Sequence, residues 1–213
     1  MSQSKAYSKG EEIFSSISHG IGALLGVVGT SILITLSALY GDALTTTASA
    51  IYGFSLIVMY SMSTLYHAIP FPRVKRVFQI LDHCSIYLLI AGTYTPILLV
   101  SLRNSPRGLI IFCVVWLAAI GGIVLSALKV RHYKKIELIL YVVVGWALVW
   151  DFGAVVEALG RGGFALILSG GLCYTIGIIF YKMKRVRFMH GVWHLFVVSG
   201  SVLHYLCILL FVK

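Results

Sequence analysis

Acidic side chains are scarce in this chain of 213 residues. Seven Asp and Glu stand against 17 Lys and Arg, and charged residues of both signs make up 11% of the whole, where a soluble globular domain carries about 25%. Apolar residues make up 59%. That balance excludes a single water-soluble domain, and it excludes disorder, which requires low hydrophobicity together with high charge. Proline occurs four times and the 21 glycines follow no period, so collagen-like and low-complexity sequence are excluded too. The four cysteines, Cys84, Cys113, Cys173 and Cys207, lie in apolar runs without a CxxC pair. They read as small reduced hydrophobic residues and not as a disulfide frame. The net charge of +10 does not indicate nucleic acid, because the basic residues fall in short clusters between long uncharged stretches.

Those stretches span 13–41, 43–72, 83–102, 108–128, 162–181 and 188–212. Each is long enough for a helix of about 20 residues to cross a hydrocarbon layer of about 30 Å. The run 138–150 is too short alone, but extended past Asp151 to about Val156 it becomes adequate, with Trp146 and Trp150 near an interface. Backbone groups in lipid have no water to bond, so the spans must be helices; a β-barrel would need segments of about 10 residues alternating in polarity. The expected fold is therefore an all-α bundle of seven transmembrane helices forming one domain over 1–213, with helices at about 15–40, 44–67, 79–101, 107–128, 136–156, 163–181 and 189–211. No cleavable leader is expected, since Lys5 and Lys9 precede Glu11 and Glu12 and the first apolar run is too long for a signal peptide. Alternate loops hold 13 and 4 of the basic residues, which by the positive-inside rule puts the N-terminus in the cytoplasm and the C-terminus outside.

A strongly polar side chain inside a membrane helix is costly enough to count as a functional candidate. In the alternating topology His19 near the start of helix 1, His67 at the end of helix 2, Asp82 near the start of helix 3, and His190 and His194 opening helix 7 share one cytoplasmic layer. His190 and His194 are an i, i+4 pair, which places two imidazoles on one face and suits chelation of one metal ion. The pair lacks the internal Glu of HExxH, so a base must come from elsewhere, and Asp82 is the natural supplier. With His67 as third ligand the set is three histidines and one open position, the composition of a catalytic zinc site. Ser63, four residues before His67, is placed to orient an imidazole or a water. Taken singly, Asp82 also reads as a helix cap or a partner of Arg76, and the histidines as interfacial residues. His19 reads equally as a site-lining or an interfacial residue. His204, about 21 Å deeper than His190, is expected to bond to another helix, and His83 and His132 are given no role.

At these residues the sequence resembles the hemolysin III branch of the progestin and adipoQ receptor family, which includes the adiponectin receptors. E12-I-F-S15-S-I-S-H19 resembles the family's Glu-x-x-Asn-x-x-x-His in helix 1, S63-T-L-Y-H67 its Ser-x-x-x-His, and H190-G-V-W-H194 its His-x-x-x-His, while Asp82 falls where the family has an aspartate in helix 3. The resemblance implies a zinc ion held by His67, His190 and His194, with Asp82 on its water, and kinship with ceramidase-type membrane hydrolases. Glu12 and Ser15 come into the site's surroundings only through this resemblance, and Ser15 stands where the family has Asn. The short segment before helix 1 is unlike the long extensions of the eukaryotic receptors, so hormone signalling is not carried over and a bacterial membrane protein is expected.

The leading expectation is a zinc-dependent hydrolase acting on a lipid amide or ester at the cytoplasmic leaflet, with Asp82 as general base and membrane lipid, not nucleic acid, as its partner. The alternative is a non-catalytic sensor in which zinc only joins helices 2, 3 and 7. An ion pathway and a pore rank below both, because the spans carry no polar stripe.

Overall fold

A computed structural model of the chain describes residues 7–128 and 134–212. All regular structure among these residues is helical: α1 Lys9–Tyr40, α2 Ala43–Ala68, α3 Pro72–Pro96, α4 Pro106–Ala127, α5 Lys134–Gly145, α6 Phe152–Lys182 and α7 Met189–Phe211. A π-turn Ile97–Ser101 extends α3, and a 3-10 turn Ala147–Asp151 joins α5 to α6. Six helical stretches among the described residues are long and apolar enough to cross a membrane.

Local chemistry sets the helix starts. The Ser8 hydroxyl accepts the Glu11 N–H at 3.3 Å while the Glu11 carboxylate accepts the Ser8 N–H at 2.8 Å, a reciprocal cap that starts α1 at Lys9. Asp42 accepts the Thr45 N–H at 2.7 Å to open α2. Hydrogen bonds from the Thr45 side chain and backbone hold the Asp42 carboxyl below the usual carboxylate range. Pro106 occupies the first turn of α4, where its missing N–H costs nothing. Ser105 caps that helix and donates to Asp151 Oδ2 at 3.0 Å. Asp151, the charge that interrupts the fifth apolar run, is thus buried beside Ser105 and Arg107.

α3 is the central helix and the most buried of the apolar spans, whereas most of α1 is open to the outside. Its neighbours close around Tyr52, Tyr87, Ile97, Leu98 and Val115, all sealed from solvent. α1 turns Ile13, Ile17, Leu24 and Val28 outward, as a helix facing hydrocarbon does.

α5, the 3-10 turn and α6 together form a continuous helical stretch of 47 residues, Ile136–Lys182, which as a straight helix would reach about 70 Å. It does not run straight. Gly160 has φ 64° and ψ 177°, a conformation that glycine adopts without the Cβ penalty. On either side Trp146 donates to Thr175 Oγ1 at 3.0 Å and the Phe152 and Phe164 rings meet at 4.8 Å. Residues 29 apart in a continuous helix would lie more than 40 Å from each other, so the chain doubles back at Gly160.

Two expectations change. α3 begins at Pro72 and not at 79, which carries Asp82 ten residues into the helix and removes the capping reading of it. Trp146 faces inward to Thr175, whereas Trp150 is 69% exposed; only the second suits an interface. Most of the basic cluster 129–135, with His132, lies outside the described residues.

Candidate metal centre

Two helices deliver three imidazoles to one point. His67 closes α2, and His190 and His194 occupy successive turns of α7. His190 Nε2 lies 3.2 Å from His67 Nε2 and 3.2 Å from His194 Nε2. Two nitrogens bound to one tetrahedral zinc at about 2.0–2.1 Å are separated by about 3.3–3.4 Å, so these separations are close to those of a shared ion.

The outer nitrogens decide what the inner ones present. His67 Nδ1 lies 2.6 Å from Glu12 Oε2, and an ionised carboxylate only accepts, so the hydrogen is on Nδ1 and the Nε2 lone pair faces the centre. His194 Nδ1 lies 3.1 Å from the Ser15 carbonyl oxygen, with the same consequence. A proton on His190 Nε2 would satisfy one of the two neighbouring lone pairs at a time; a metal ion satisfies all three. The residues therefore fit a metal ion, and the donor set of three neutral imidazoles suits zinc.

α1 supplies the surroundings. Glu12 also pairs with Lys75 of α3 at 3.1 Å. Glu11 Oε1 accepts the Phe188 N–H at 3.0 Å and so holds the residue before α7, which has φ 63° and is the one described non-glycine residue in the left-handed region. Between the two α7 histidines, Gly191 packs so closely on Phe14 that a Cβ there would lie 2.2 Å from the ring. Tyr7 stacks on the His190 ring at 4.7 Å. That contact orients the one ligand whose outer nitrogen is buried without a hydrogen-bond partner. Tyr7 itself keeps its proton, since burial, and next the nearby Tyr66, push its phenol above the usual range.

Each expected site residue has a definite place. Ser63 is buried and its hydroxyl interacts with the Asp82 carboxylate. Asp82 lines the same cavity as His190 and His194, and the groups that act on its carboxylate are His83, His67 and Ser63. His19 is 3% exposed, stacked on His194 at 3.6 Å between ring centres, with neither of its nitrogens hydrogen-bonded, so it lines the site and is not interfacial. Ser15 contributes its backbone carbonyl, which any residue in place of the family's Asn would supply. His204 donates from Nε2 to the Ile167 carbonyl at 3.1 Å, far from the trio along α7. Sequence reasoning missed Tyr7, Lys75 and Glu137. Glu137 accepts the Ser126 hydroxyl at 2.5 Å, faces His83 at 3.7 Å and lines the same cavity, so Asp82 is not the only carboxylate on this side.

The cavity measures about 600 Å³, well within the range of small-molecule sites. It runs from the histidines past Leu89 and Ile90 of α3 to Trp146, Ile178 and Val197, an apolar lining that ends near His204.

Glu12 gives a direct check. Outer partners of this kind are worth about 10–100-fold in metal affinity. Glu12→Ala should weaken zinc binding by that factor, measured by competition with a chromogenic chelator. Unchanged affinity would show that the Glu12–His67 contact does not tune the centre.

Compared with known proteins, residues 7–205 match the family model described as Haemolysin-III related. The chain is 42% identical over 202 residues to Hemolysin-3 of Bacillus cereus, covering 95% of this chain and 92% of that one. It is 38% identical over 201 residues to the Hemolysin-3 homolog of Bacillus subtilis strain 168, covering 94% of each. To the human Monocyte to macrophage differentiation factor it is 30% identical over 199 residues, covering 89% of this chain and 79% of that protein.

Proposed function

The chain belongs to the haemolysin-III related family, the hemolysin III branch of the progestin and adipoQ receptors, and from that premise we propose that it is a zinc-dependent membrane hydrolase acting on a lipid amide or ester at the cytoplasmic leaflet. It is a multi-pass membrane protein, and its Bacillus relatives fit a bacterial origin. The observation that carries the hydrolase reading is the convergence of three histidine nitrogens at a cavity that Asp82 and apolar side chains of α3, α6 and α7 also line.

His67, His190 and His194 would hold zinc, which when bound would supply Lewis-acid polarisation of a carbonyl oxygen and lower the pKa of a water. The chain's own residues do the rest. Glu12 and the Ser15 carbonyl fix two imidazoles in the ligating tautomer. Asp82, oriented by Ser63, accepts the proton of the attacking water and returns it to the leaving amine or alcohol. The apolar lining takes the hydrocarbon chain and keeps bulk water from the linkage. A purely structural zinc is closed by four protein ligands, whereas this set has three and faces a cavity, which supports hydrolysis over a scaffold. Metal analysis and a lipid-hydrolysis screen over ceramides, phospholipids and acyl amides on the same purified protein test the proposal; absence of both zinc and turnover defeats it.

The membrane arrangement that goes with this function has seven crossings. Residues 134–159 form the fifth and 161–182 the sixth, on the two sides of Gly160, with the N-terminus and the histidines cytoplasmic. The reversal at Gly160 and the 13 to 4 distribution of Lys and Arg support this reading. Reporter fusions at the two ends should give opposite locations. Finding both ends on one side would reduce the count to six.

A further inference from the structure

The cavity mouth carries an excess of positive charge. Lys75, Lys184, Arg185 and Arg187 line it. Glu12 neutralises Lys75, but no carboxylate among the described residues lies within ion-pair distance of the other three. Lys184 rests over the Tyr181 ring, 5.5 Å from its centre, which aligns the stem without compensating the charge. The four carboxylates along the same cavity are engaged elsewhere. Glu11, on which Arg187 acts only as the weakest of several influences, accepts the Ser8 and Phe188 N–H groups, and Glu12 holds His67 and Lys75. Glu137 holds Ser126, and Asp82 faces Ser63.

A general preference for Lys and Arg in cytoplasmic loops accounts for basic residues on this side. It does not account for three of them converging on one opening. Arg73, Arg76 and Lys182 are exposed at the same end and do not line the cavity.

We infer that Lys184, Arg185 and Arg187 form a binding rim for the anionic headgroup, phosphate or carboxylate, of an amphiphile whose hydrocarbon chain occupies the cavity. The inference rests on the lipid-hydrolase reading and narrows it to lipids with a negative headgroup. The order of the parts matches such a molecule: cations outermost, the histidines and Asp82 next, apolar walls beyond. In an acylated phospholipid the phosphate stands only a few bonds from the acyl carbonyl, and the rim precedes His190 by three to six residues. Arg presents a planar fork to phosphate or carboxylate oxygens, and two of the three cations are Arg.

The test uses probes without a hydrolysable acyl linkage, so it reads binding whether or not turnover occurs. Full-length protein in neutral detergent is titrated with 12-bromododecyl phosphate, whose bromine quenches the fluorescence of the cavity tryptophans Trp146 and Trp193 only when the chain is inside. The comparison probes are 12-bromododecanol and inorganic phosphate. Each basic residue near the surface is worth roughly fivefold in affinity for an anionic lipid, and salt reduces that. The phosphate probe should bind at least tenfold more tightly than the alcohol and weaken as ionic strength rises. Lys184→Gln/Arg185→Gln/Arg187→Gln should abolish the difference, while Arg73→Gln/Arg76→Gln/Lys182→Gln, with the same change in charge, should preserve it. Equal affinity for phosphate and alcohol overturns the inference, as does an equal loss in both triple variants, which would mark a diffuse basic surface. Inorganic phosphate binding as tightly as the amphiphile would also overturn it, since the ligand would then be the free anion. The salt dependence of the wild type is decisive even if the rim variant fails to fold. A protein that shows rim-dependent binding but hydrolyses no lipid would refute the hydrolase and retain the site; hydrolysis indifferent to headgroup charge would do the reverse.

Discussion

His190→Ala should lower bound zinc from about one ion per chain to a small fraction of that. His190 Nε2 is the shared vertex of the trio, 3.2 Å from each of the other two ligating nitrogens. Removing it leaves His67 and His194 as a two-ligand site in which the remaining lone pairs no longer converge on a common ion. Loss of an outer partner alone costs about 10–100-fold in affinity, and loss of a ligand costs more. Because a metal that binds only the folded chain stabilises it by mass action, the variant should also melt at a lower temperature and lose the response to chelator that the wild type shows. His83→Ala and His204→Ala provide the contrast, because neither ring reaches the trio: His83 faces Glu137, and His204 donates to Ile167. Elemental analysis of the four proteins after gel filtration decides the matter. Equal metal content in wild type and His190→Ala removes the centre as drawn.

That these three histidines come together was legible in the sequence for a simple reason. In a chain this poor in polar groups every buried histidine or carboxylate stands out, and alternating helix direction brings those at successive starts and ends to one end of the bundle without any knowledge of packing. The i, i+4 spacing of His190 and His194 carried the rest. Contacts whose partners are distant in sequence and whose chemistry is ordinary were not legible. Glu12 and His67 are 55 residues apart and Ser15 and His194 are 179 apart, and the Ser15 contribution is a backbone carbonyl with no residue signature. Tyr7 was hidden because nothing marks one aromatic ring near a terminus as the one that stacks on a ligand. Glu137 lay at the very start of the expected fifth helix, next to a basic cluster, where a carboxylate is ordinary. The start of α3 was missed because Arg73, Lys75 and Arg76 interrupt the apolar run, although helix propensity tolerates all three and Pro72 is favoured in a first turn. The reversal at Gly160 was expected somewhere between the fifth and sixth apolar runs. Only the positive φ identifies the residue that makes it.

Asp82→Asn should retain zinc and lose turnover by about 10²–10⁴-fold, the usual cost of removing a general base. The metal stays because Asp82 is not among the converging nitrogens, and the amide still accepts a hydrogen bond from Ser63, so the shape of the site is kept. What disappears is the ability to take a proton from water. The structure makes this a sharper test than the sequence did, because Glu12 and Glu137 line the same cavity and are rival bases. Both are committed: Glu12 accepts from His67 and pairs with Lys75, and Glu137 accepts from Ser126 and faces His83. Glu137→Gln should therefore change turnover by no more than a few-fold. Glu12→Ala should act through metal affinity, with activity restored by excess zinc, whereas zinc should not rescue Asp82→Asn. Zinc content, melting temperature and hydrolysis measured on one preparation of each protein separate these roles. If Asp82→Asn hydrolyses lipid as fast as wild type, the carboxylate is not the base; if Glu137→Gln shows the large loss instead, proton transfer belongs to the α5 carboxylate. A wild type that binds zinc, loses stability when it is removed and turns over none of the lipids tested would assign the three histidines to holding α2 and α7 together.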